Sequence, residues 1–280
     1  MSPINKKTSV IITAYNEEKR IGECLNSLQI QDYKPIEIIV VDDGSTDKTV
    51  SFVKEQKVTL IQSNHGGTAK SRNKAAEKAD GEILVFLDAD MTFEKDFISK
   101  LVDPINKGES KGTFSKLEYV KNWEEPIARL WNYVNNPELP DKLRVSQISE
   151  TGEDFRAILK SEFDRVKGFD DTGYTDTWSL ARKLEYKPTN APGAVYYHYN
   201  PSSIREVFLQ AVWIGRRPYK FGILGDIITL IRSFFVFSIL KGILLMVRKR
   251  ELESILFQLV YDLGISYGVF TRVLLGKKKK

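Results

Sequence analysis

Short, almost wholly apolar runs rich in β-branched residues recur through the first part of the chain. Each is followed by a polar turn, and most turns lead into a segment of helical character. The runs are Thr8 to Thr13, Ile36 to Val41, Val58 to Gln62 and Ile83 to Leu87. Between them, Glu17 to Gln29 places Ile21, Cys24, Leu25 and Leu28 at helical spacing, and Thr46 to Gln56 and Thr68 to Ala79 read as further helices. A strand apolar on both faces has to be covered on both faces. The pattern therefore predicts an α/β fold, a mostly parallel central sheet with helices on either side. With 42% hydrophobic and 28% charged residues in 280, the chain can bury a real core, and disorder is excluded for its bulk. A single cysteine excludes an internal disulfide framework and a cysteine-based zinc finger, and two histidines exclude a three-histidine metal site.

In such sheets ligands gather beyond the carboxyl ends of the strands, and here those ends are polar. The first run ends in Ala14-Tyr15-Asn16-Glu17, the second in Asp42-Asp43-Gly44-Ser45, the third in Asn64-His65-Gly66-Gly67 and the fourth in Asp88-Ala89-Asp90. If Asp88 and Asp90 continue the extended strand, they point the same way and make a hard oxygen site for Mg²⁺ or Mn²⁺ beside a phosphate. A carboxylate at Asp42 or Asp43 can accept from a base N–H or a ribose hydroxyl, while Ser45 or Thr46 caps the next helix. Gly67 opens a helix whose free N–H groups, with Lys70 and Arg72, suit an anion. Neither G-x-G-x-x-G nor G-x-x-x-x-G-K-[ST] occurs. The single G-x-S-x-G match, Gly108 to Gly112, follows no apolar strand and reads as a loop.

TSVIITAYNEE, VVDDGSTD, HGGTAKSRN and LVFLDAD, in this order and spacing, resemble the inverting family 2 glycosyltransferases of the GT-A fold. The likeness is specific over residues 8–91 and looser to about 217. It implies a nucleotide-diphosphate sugar donor held by Ala14, Tyr15, Asn16, Glu17, Asp42, Asp43, Gly44, Asn64, Gly67, Lys70, Arg72, Asp88 and Ala89. Asp43 would meet the base, and Asp88 would sit near the ribose or diphosphate. A divalent metal would rest on Asp90, with Asp88 and His198 as further ligands. Gly168-Phe169-Asp170-Asp171 matches the start of the family's second half. In the acidic pair that follows, Thr175 replaces the first acid and Asp176 keeps the position of the catalytic base, with Asp170 and Asp171 as rivals. Trp213-Ile214-Gly215-Arg216-Arg217 resembles the segment that closes over acceptor and diphosphate, which adds Arg216 and Arg217 to the donor contacts. The acceptor would be a glycan or lipid-linked hydroxyl, and nucleic acid is not among the expected partners. A nucleotidyltransferase on a related sheet and a non-catalytic nucleotide-sugar binder are the competing readings. The second gains from Thr175, and the first lacks its activating loop.

Composition shifts near residue 220, which suggests a catalytic domain over 1–220 and membrane-associating helices over 221–280. Phe221 to Val247 and Leu252 to Leu275 read as two long apolar helices joined by Arg248-Lys249-Arg250-Glu251 and followed by a tail from Lys277 to Lys280. Arg232, Lys241, Asp262 and Arg272 interrupt them, so an interfacial pair with basic heads toward anionic lipid is expected ahead of a transmembrane hairpin. Gly264 and Gly268 have the spacing that lets helices approach closely. No signal-like apolar core precedes Asn16, so the catalytic part is expected on the cytoplasmic side of the membrane.

Overall fold

The computed structural model describes residues 5–144, 150–171, 176–217 and 221–275, without the side chains of Asp176, Thr177 and Leu275. The chain forms two compact units. The first comprises Met1–Lys121 and Leu143–His198, and the second Asn122–Lys142 and Tyr199–Lys280. The composition shift at 220 thus falls inside the second unit.

The first unit opens with β1 (Thr8–Ala14), α1 (Ile21–Gln29), β2 (Ile36–Asp42), α2 (Thr49–Lys54), β3 (Thr59–Gln62), α3 (Thr68–Lys78) and β4 (Ile83–Asp88). The strands lie where the apolar runs place them, but α1 and α2 start several residues late. Asn16 adopts a left-handed backbone at φ 56°, and Glu17 to Arg20 form a turn closed by the Arg20 N–H on the Glu17 carbonyl. Before α2, the Asp47 carboxylate accepts the Thr49 N–H at 2.9 Å, so the helix begins only there.

The chain continues through β5 (Met91–Phe93), α4 (Phe97–Asn106), β6 (Gly112–Phe114) and β7 (Leu117–Val120). It then gives α5 (Pro126–Asn135) to the second unit and returns for β8 (Ala157–Leu159), α6 (Lys160–Arg165), α7 (Asp176–Leu184), β9 (Thr189–Asn190) and β10 (Val195–His198). The main sheet runs β3-β2-β1-β4-β8-β6-β9, and a three-stranded sheet runs β5-β10-β7. The neighbours from β3 to β4 are parallel, and β8 is antiparallel to both β4 and β6. Successive residues on a strand face opposite sides. Val10, Ile12, Val85 and Leu87 therefore join one core with Leu25, Leu28, Leu101 and Val102. Ile11, Leu84 and Phe86 join the other with Ala75, Phe163, Phe169 and Leu180. The Gly108 to Gly112 match is, as expected, no nucleophile elbow: it is the turn between α4 and β6, with Gly108 at φ 74°.

The second unit is helical. α5 is joined by α8 (Ile204–Gly215), α9 (Gly222–Arg232), α10 (Phe235–Lys249) and α11 (Ser254–Leu275) around Leu130, Trp131, Val207 and Phe257. Its two chain entries are tied by reciprocal amide bonds: the Asn200 N–H donates to Asn122 Oδ1 at 3.0 Å, and Asn122 Nδ2 to the Asn200 carbonyl at 3.1 Å. The small-residue spacing on α11 is used within the unit, where Gly264 and Gly268 seat on α8. A Cβ at Gly268 would lie 2.3 Å from the Val212 carbonyl oxygen, and one at Gly264 2.6 Å from Ala211 Cβ.

The first of the two expected long helices is in fact broken. α9 and α10 meet at a 64° bend, where Phe234 leaves the helical region for extended backbone. The Ser238 N–H and hydroxyl both donate back to the Phe234 carbonyl, at 3.1 and 3.3 Å, where α10 begins. α11 is long and apolar enough to cross a membrane over Ser254–Leu274, and half of that stretch is buried inside the protein.

Candidate active site

The carboxyl ends of β1, β2, β3 and β4 bring the polar strand ends of the first unit to one edge, as parallel neighbours in register must. Tyr15, half exposed, tilts against the His65 ring with centroids 4.4 Å apart. Asn16 braces the adjoining turn, its Oδ1 accepting the Thr46 N–H at 2.8 Å while its own N–H donates to Ser45 Oγ at 2.9 Å. Asp42 turns inward and accepts the Gly44 and Ser45 N–H groups. Ala14 and Ala89 are buried as spacers, and Asn64 is exposed in the loop.

Asp43 is fully engaged by that loop. Its Oδ1 accepts from the Gly66 N–H and the Ser71 hydroxyl, each at 3.0 Å. Its Oδ2 accepts from the Gly67 N–H at 3.0 Å and lies 3.2 Å from His65 Nδ1. Three donors, the Gly66 and Gly67 N–H groups and the Ser71 hydroxyl, hold this carboxylate. Asp43 therefore fixes the glycine turn that starts α3, where Gly67 sits at φ 95°. Gly44, at φ 86°, lets the main chain pass close to His65. Lys70 and Arg72 leave the first turn of α3 in different directions. The Lys70 ammonium pairs with exposed Asp171 at 3.0 Å. Arg72 is buried and donates from Nη2 to Asp88 Oδ1 at 2.8 Å.

The expectation that Asp88 and Asp90 share a direction fails for a local reason: Asp88 is the last residue of β4, and Ala89 and Asp90 form a turn. Asp88 lies between two guanidiniums, Arg72 and, at 3.6 Å from its Oδ2, Arg156. Burial opposes its charge, but Arg72 and then Arg156 outweigh burial and hold its pKa below the ordinary carboxylate value.

Asp90, close enough to Asp88 for their charges to interact, makes its own contacts in a cluster that the small sheet assembles. β10 runs antiparallel to β5, with His198 opposite Met91, and parallel to β7, with Tyr196 opposite Glu118. His198 thereby stands between two acids, its Nε2 3.0 Å from Asp90 Oδ2 and its Nδ1 2.9 Å from Glu118 Oε1. The Tyr196 hydroxyl donates to Glu118 Oε2 at 2.9 Å, and Arg144 Nε lies 3.2 Å from Oε1. Burial works against the charge on both acids. His198 brings Asp90 down to about 2, and the His198 hydrogen bond and Arg144 bring Glu118 down to about 2. His198 is raised in turn: burial and Arg144 oppose its charge, and Asp90 and Glu118 prevail. Glu17 sits in the field of Asp90 and Asp88, and burial, then Asp90, pushes it up to about 8.

Glu118, Arg144 and Arg156 are absent from the sequence reading. The one local signal was a charge inside an apolar stretch, Glu118 in LEYV and Arg156 in FRAIL. Their partners lie at the far side of strand pairings that no local pattern shows.

At this edge two side chains could donate to a divalent cation. Among the described residues no three of His, Cys, Asp and Glu converge on one point. The carboxylate of Asp90 and the imidazole of His198 do converge, and both are competent donors for Mg²⁺ or Mn²⁺. Asp88, held by its two arginines, is not brought into that pair. A hard dication would complete its coordination with phosphate oxygens and water, as Mg²⁺ commonly does.

Of the base candidates, Asp170 pairs with Lys183 at 2.9 Å and Asp171 with Lys70. Asn73 holds the preceding turn, its Nδ2 donating to the Phe169 carbonyl and its Oδ1 accepting the Phe169 N–H, both at 2.9 Å. Asp176 is the first residue of α7. Its side chain and the whole of Thr175 lie outside the described residues. Arg216 and Arg217 belong to the second unit. There Arg216 Nε donates to Thr271 at 3.3 Å, and the Arg217 guanidinium lies 4.3 Å from the Trp213 ring centre.

Known proteins align with this chain. Over 102 residues the chain is 43% identical to the poly(ribitol-phosphate) beta-N-acetylglucosaminyltransferase TarS of Staphylococcus aureus, covering 34% of this chain and 17% of TarS. Over 182 residues it is 32% identical to the uncharacterized glycosyltransferase YfnE of Bacillus subtilis, covering 59% of this chain and 45% of that one. The chain thus spans less than half the length of these curated relatives. Among solved structures, residues 1–349 of TarS in complex with UDP-GlcNAc superpose with a TM-score of 0.53 at 20% identity, over 97% of this chain and 92% of that one. The mannosyltransferase PcManGT of Pyrobaculum calidifontis, in complex with GDP-Man and Mn²⁺, gives 0.55 at 19% identity, over 98% and 89%. At such identities the superpositions speak for fold alone, and that fold is GT-A. The model of Glycosyl transferase family 2 matches residues 9–182, so the chain belongs to that family.

Proposed function

We propose that the protein transfers a sugar, with inversion, from a nucleotide-diphosphate sugar to an acceptor hydroxyl on a glycan or a lipid-linked glycan. The observation that carries this reading is the Asp90–His198–Glu118 line at the carboxyl edge of a family 2 sheet. The donor class is supported by the UDP-GlcNAc and GDP-Man complexes of the two structural neighbours.

In this reading the nucleotide lies along the ends of β1 to β3. Tyr15 and His65 offer an exposed aromatic surface there, and the first N–H groups of α3 beyond Gly67 are suited to an anion. Asp90 and His198 would hold Mg²⁺ or Mn²⁺, which would supply positive charge to the departing diphosphate. Glu118 holds the His198 ring so that Nε2 faces Asp90. Arg72 and Arg156 keep Asp88 ionised, and Asp88 in turn keeps their guanidiniums at the donor edge. Asp176 takes the proton from the acceptor hydroxyl as its oxygen attacks the anomeric carbon. The N-terminal position of Asp176 on α7 favours the ionised carboxylate. Asp170 and Asp171 are instead engaged by Lys183 and Lys70.

Thermal denaturation with UDP-, GDP- and other nucleotide sugars, with and without Mn²⁺, tests donor and metal together. One donor family is expected to raise Tm, by more in the presence of Mn²⁺. Slow release of free sugar from that donor separates an enzyme from a passive binder. No Tm shift with any nucleotide sugar would overturn the reading.

A further inference from the structure

The second unit carries a surface that glycosyl transfer does not use. Along α9 and α10 the large apolar side chains face outward: Ile223, Leu224, Ile227, Ile231, Phe234, Phe235, Val236, Phe237, Leu240, Leu244 and Val247 are all exposed. The four consecutive residues Phe234 to Phe237 are 56, 58, 44 and 48% exposed. A helix that docks on a protein partner shows an apolar stripe, one residue in three or four. Exposure at successive positions asks for an apolar medium on several sides at once.

Of the charges that interrupt these helices in sequence, all but Arg232 are paired within the unit. Asp226 of α9 pairs with Arg272 of α11. Lys241 of α10 pairs with Asp262 of α11, whose Oδ2 also accepts from Ser238 Oγ at 2.7 Å and Gln258 Nε2 at 2.9 Å. Both aspartates are buried. Ionisable groups at membrane depth are tolerated when paired inside a bundle. Exposed basic residues on these two helices are Arg232 at the end of α9, and Arg248 and Arg250 at the end of α10, where headgroup phosphates would meet them; Lys249 between them pairs with Asp141 at 3.3 Å.

We infer that α9 and α10 form a wedge that enters one leaflet of a lipid bilayer without crossing it. At ~1.5 Å per residue α10 is about 22 Å long and α9 about 16 Å, each short of the ~30 Å hydrocarbon core. The 64° bend keeps them from acting as one rod. α11, although long enough to span, is the half-buried helix on which α8, α9 and α10 pack. The wedge refines the expected interfacial pair with basic heads toward anionic lipid: it adds an apolar contact with the acyl chains. Arg272 and the partly exposed Lys241 are taken up by buried Asp226 and Asp262, the contact with lipid is apolar, and the exposed cations lie at the helix ends. A second copy of the chain is the rival occupant, and the girdle of exposure around Phe234 to Phe237 disfavours it. The wedge stands independently of the proposed chemistry.

Single cysteines at Phe235, Leu240 and, as a control on α2, Ser51 place a polarity-sensitive fluorophore on the full chain; the native Cys24 is buried and silent. With vesicles of mixed zwitterionic and anionic phospholipid whose acyl chains carry bromine, probes at Phe235→Cys and Leu240→Cys are expected to shift blue and be quenched, and the probe at Ser51→Cys is not. F235E/L240E is expected to reduce vesicle partitioning by about a hundredfold while leaving nucleotide-induced stabilisation unchanged. Binding should largely survive high salt. Absence of quenching at Phe235→Cys and Leu240→Cys overturns the wedge. So does a blue shift that rises with protein concentration without lipid, which identifies a second copy, or complete release by salt, which identifies headgroup adhesion alone.

Discussion

His198 Nδ1 lies 2.9 Å from Glu118 Oε1, and this contact decides which ring nitrogen faces Asp90. Carboxylates in this position orient metal-bound histidines in many proteins, and their loss typically lowers metal affinity about 10- to 100-fold. Glu118→Gln is expected to weaken Mn²⁺-dependent nucleotide binding by that factor in calorimetry, with metal-free nucleotide affinity nearly unchanged. Equal losses with and without Mn²⁺ would assign Glu118 a general structural role instead.

Asp88→Asn should act mainly on stability. It would leave Arg72, which is buried with an unpartnered Nε, and Arg156 without their shared carboxylate. Breaking one side of such a buried pair is strongly destabilising, and about 2–4 kcal/mol is expected from urea denaturation. A change below about 0.5 kcal/mol would show that the clamp contributes nothing to folding.

Asp176→Asn keeps size and hydrogen-bonding shape and removes basicity. Turnover should fall about 10²- to 10⁴-fold with donor affinity unchanged. Asp170→Asn and Asp171→Asn, each relieving only a partly exposed lysine pair, should cost far less. Steady-state transfer with saturating donor gives the ranking, and loss concentrated in Asp171→Asn would move the base.

Glu17 sets a pH dependence. Its pKa is about 8 in the folded chain against an ordinary value of 4.5, so between those limits the folded state binds the extra proton. Stability therefore falls as pH rises from about 4.5 to 8, and the cost is complete above that. Glu17→Gln should flatten this slope and leave the variant more stable than wild type at pH 9. Denaturant midpoints of the metal-free proteins across the range provide the check; parallel curves would refute the shift.

Much of the first unit was legible because its information is local. β1, β2 and β4 announce themselves as apolar runs, and the parallel sheet follows from their need for cover on both faces. The helix starts at Ile21 and Thr49 were less legible, because Asn16 and Asp47 compete for the backbone with hydrogen bonds that composition does not reveal. The Asp88–Asp90 geometry was misread where an extended strand was assumed to continue through a turn. Glu118 and Arg156 were invisible because their roles arise from strand pairings that join residues far apart in sequence. The same holds for Lys241 and Arg272, which read as exposed charges until helix packing supplies Asp262 and Asp226.

The route of the chain bears on how the molecule can be taken apart. It visits the helical unit at Asn122, leaves by Lys142 and comes back at Tyr199. A stop codon at the compositional border would spare α5 and α8 yet remove Phe257 from beside Leu130, Trp131 and Val207, and strip Gly264 and Gly268 from the seam on α8. Such a fragment would trade one greasy surface for a freshly opened core. A well-behaved catalytic piece calls for excision of an internal loop as well as a shortened terminus, and nonsense alleles downstream of α8 should behave as folding mutants rather than as released enzymes.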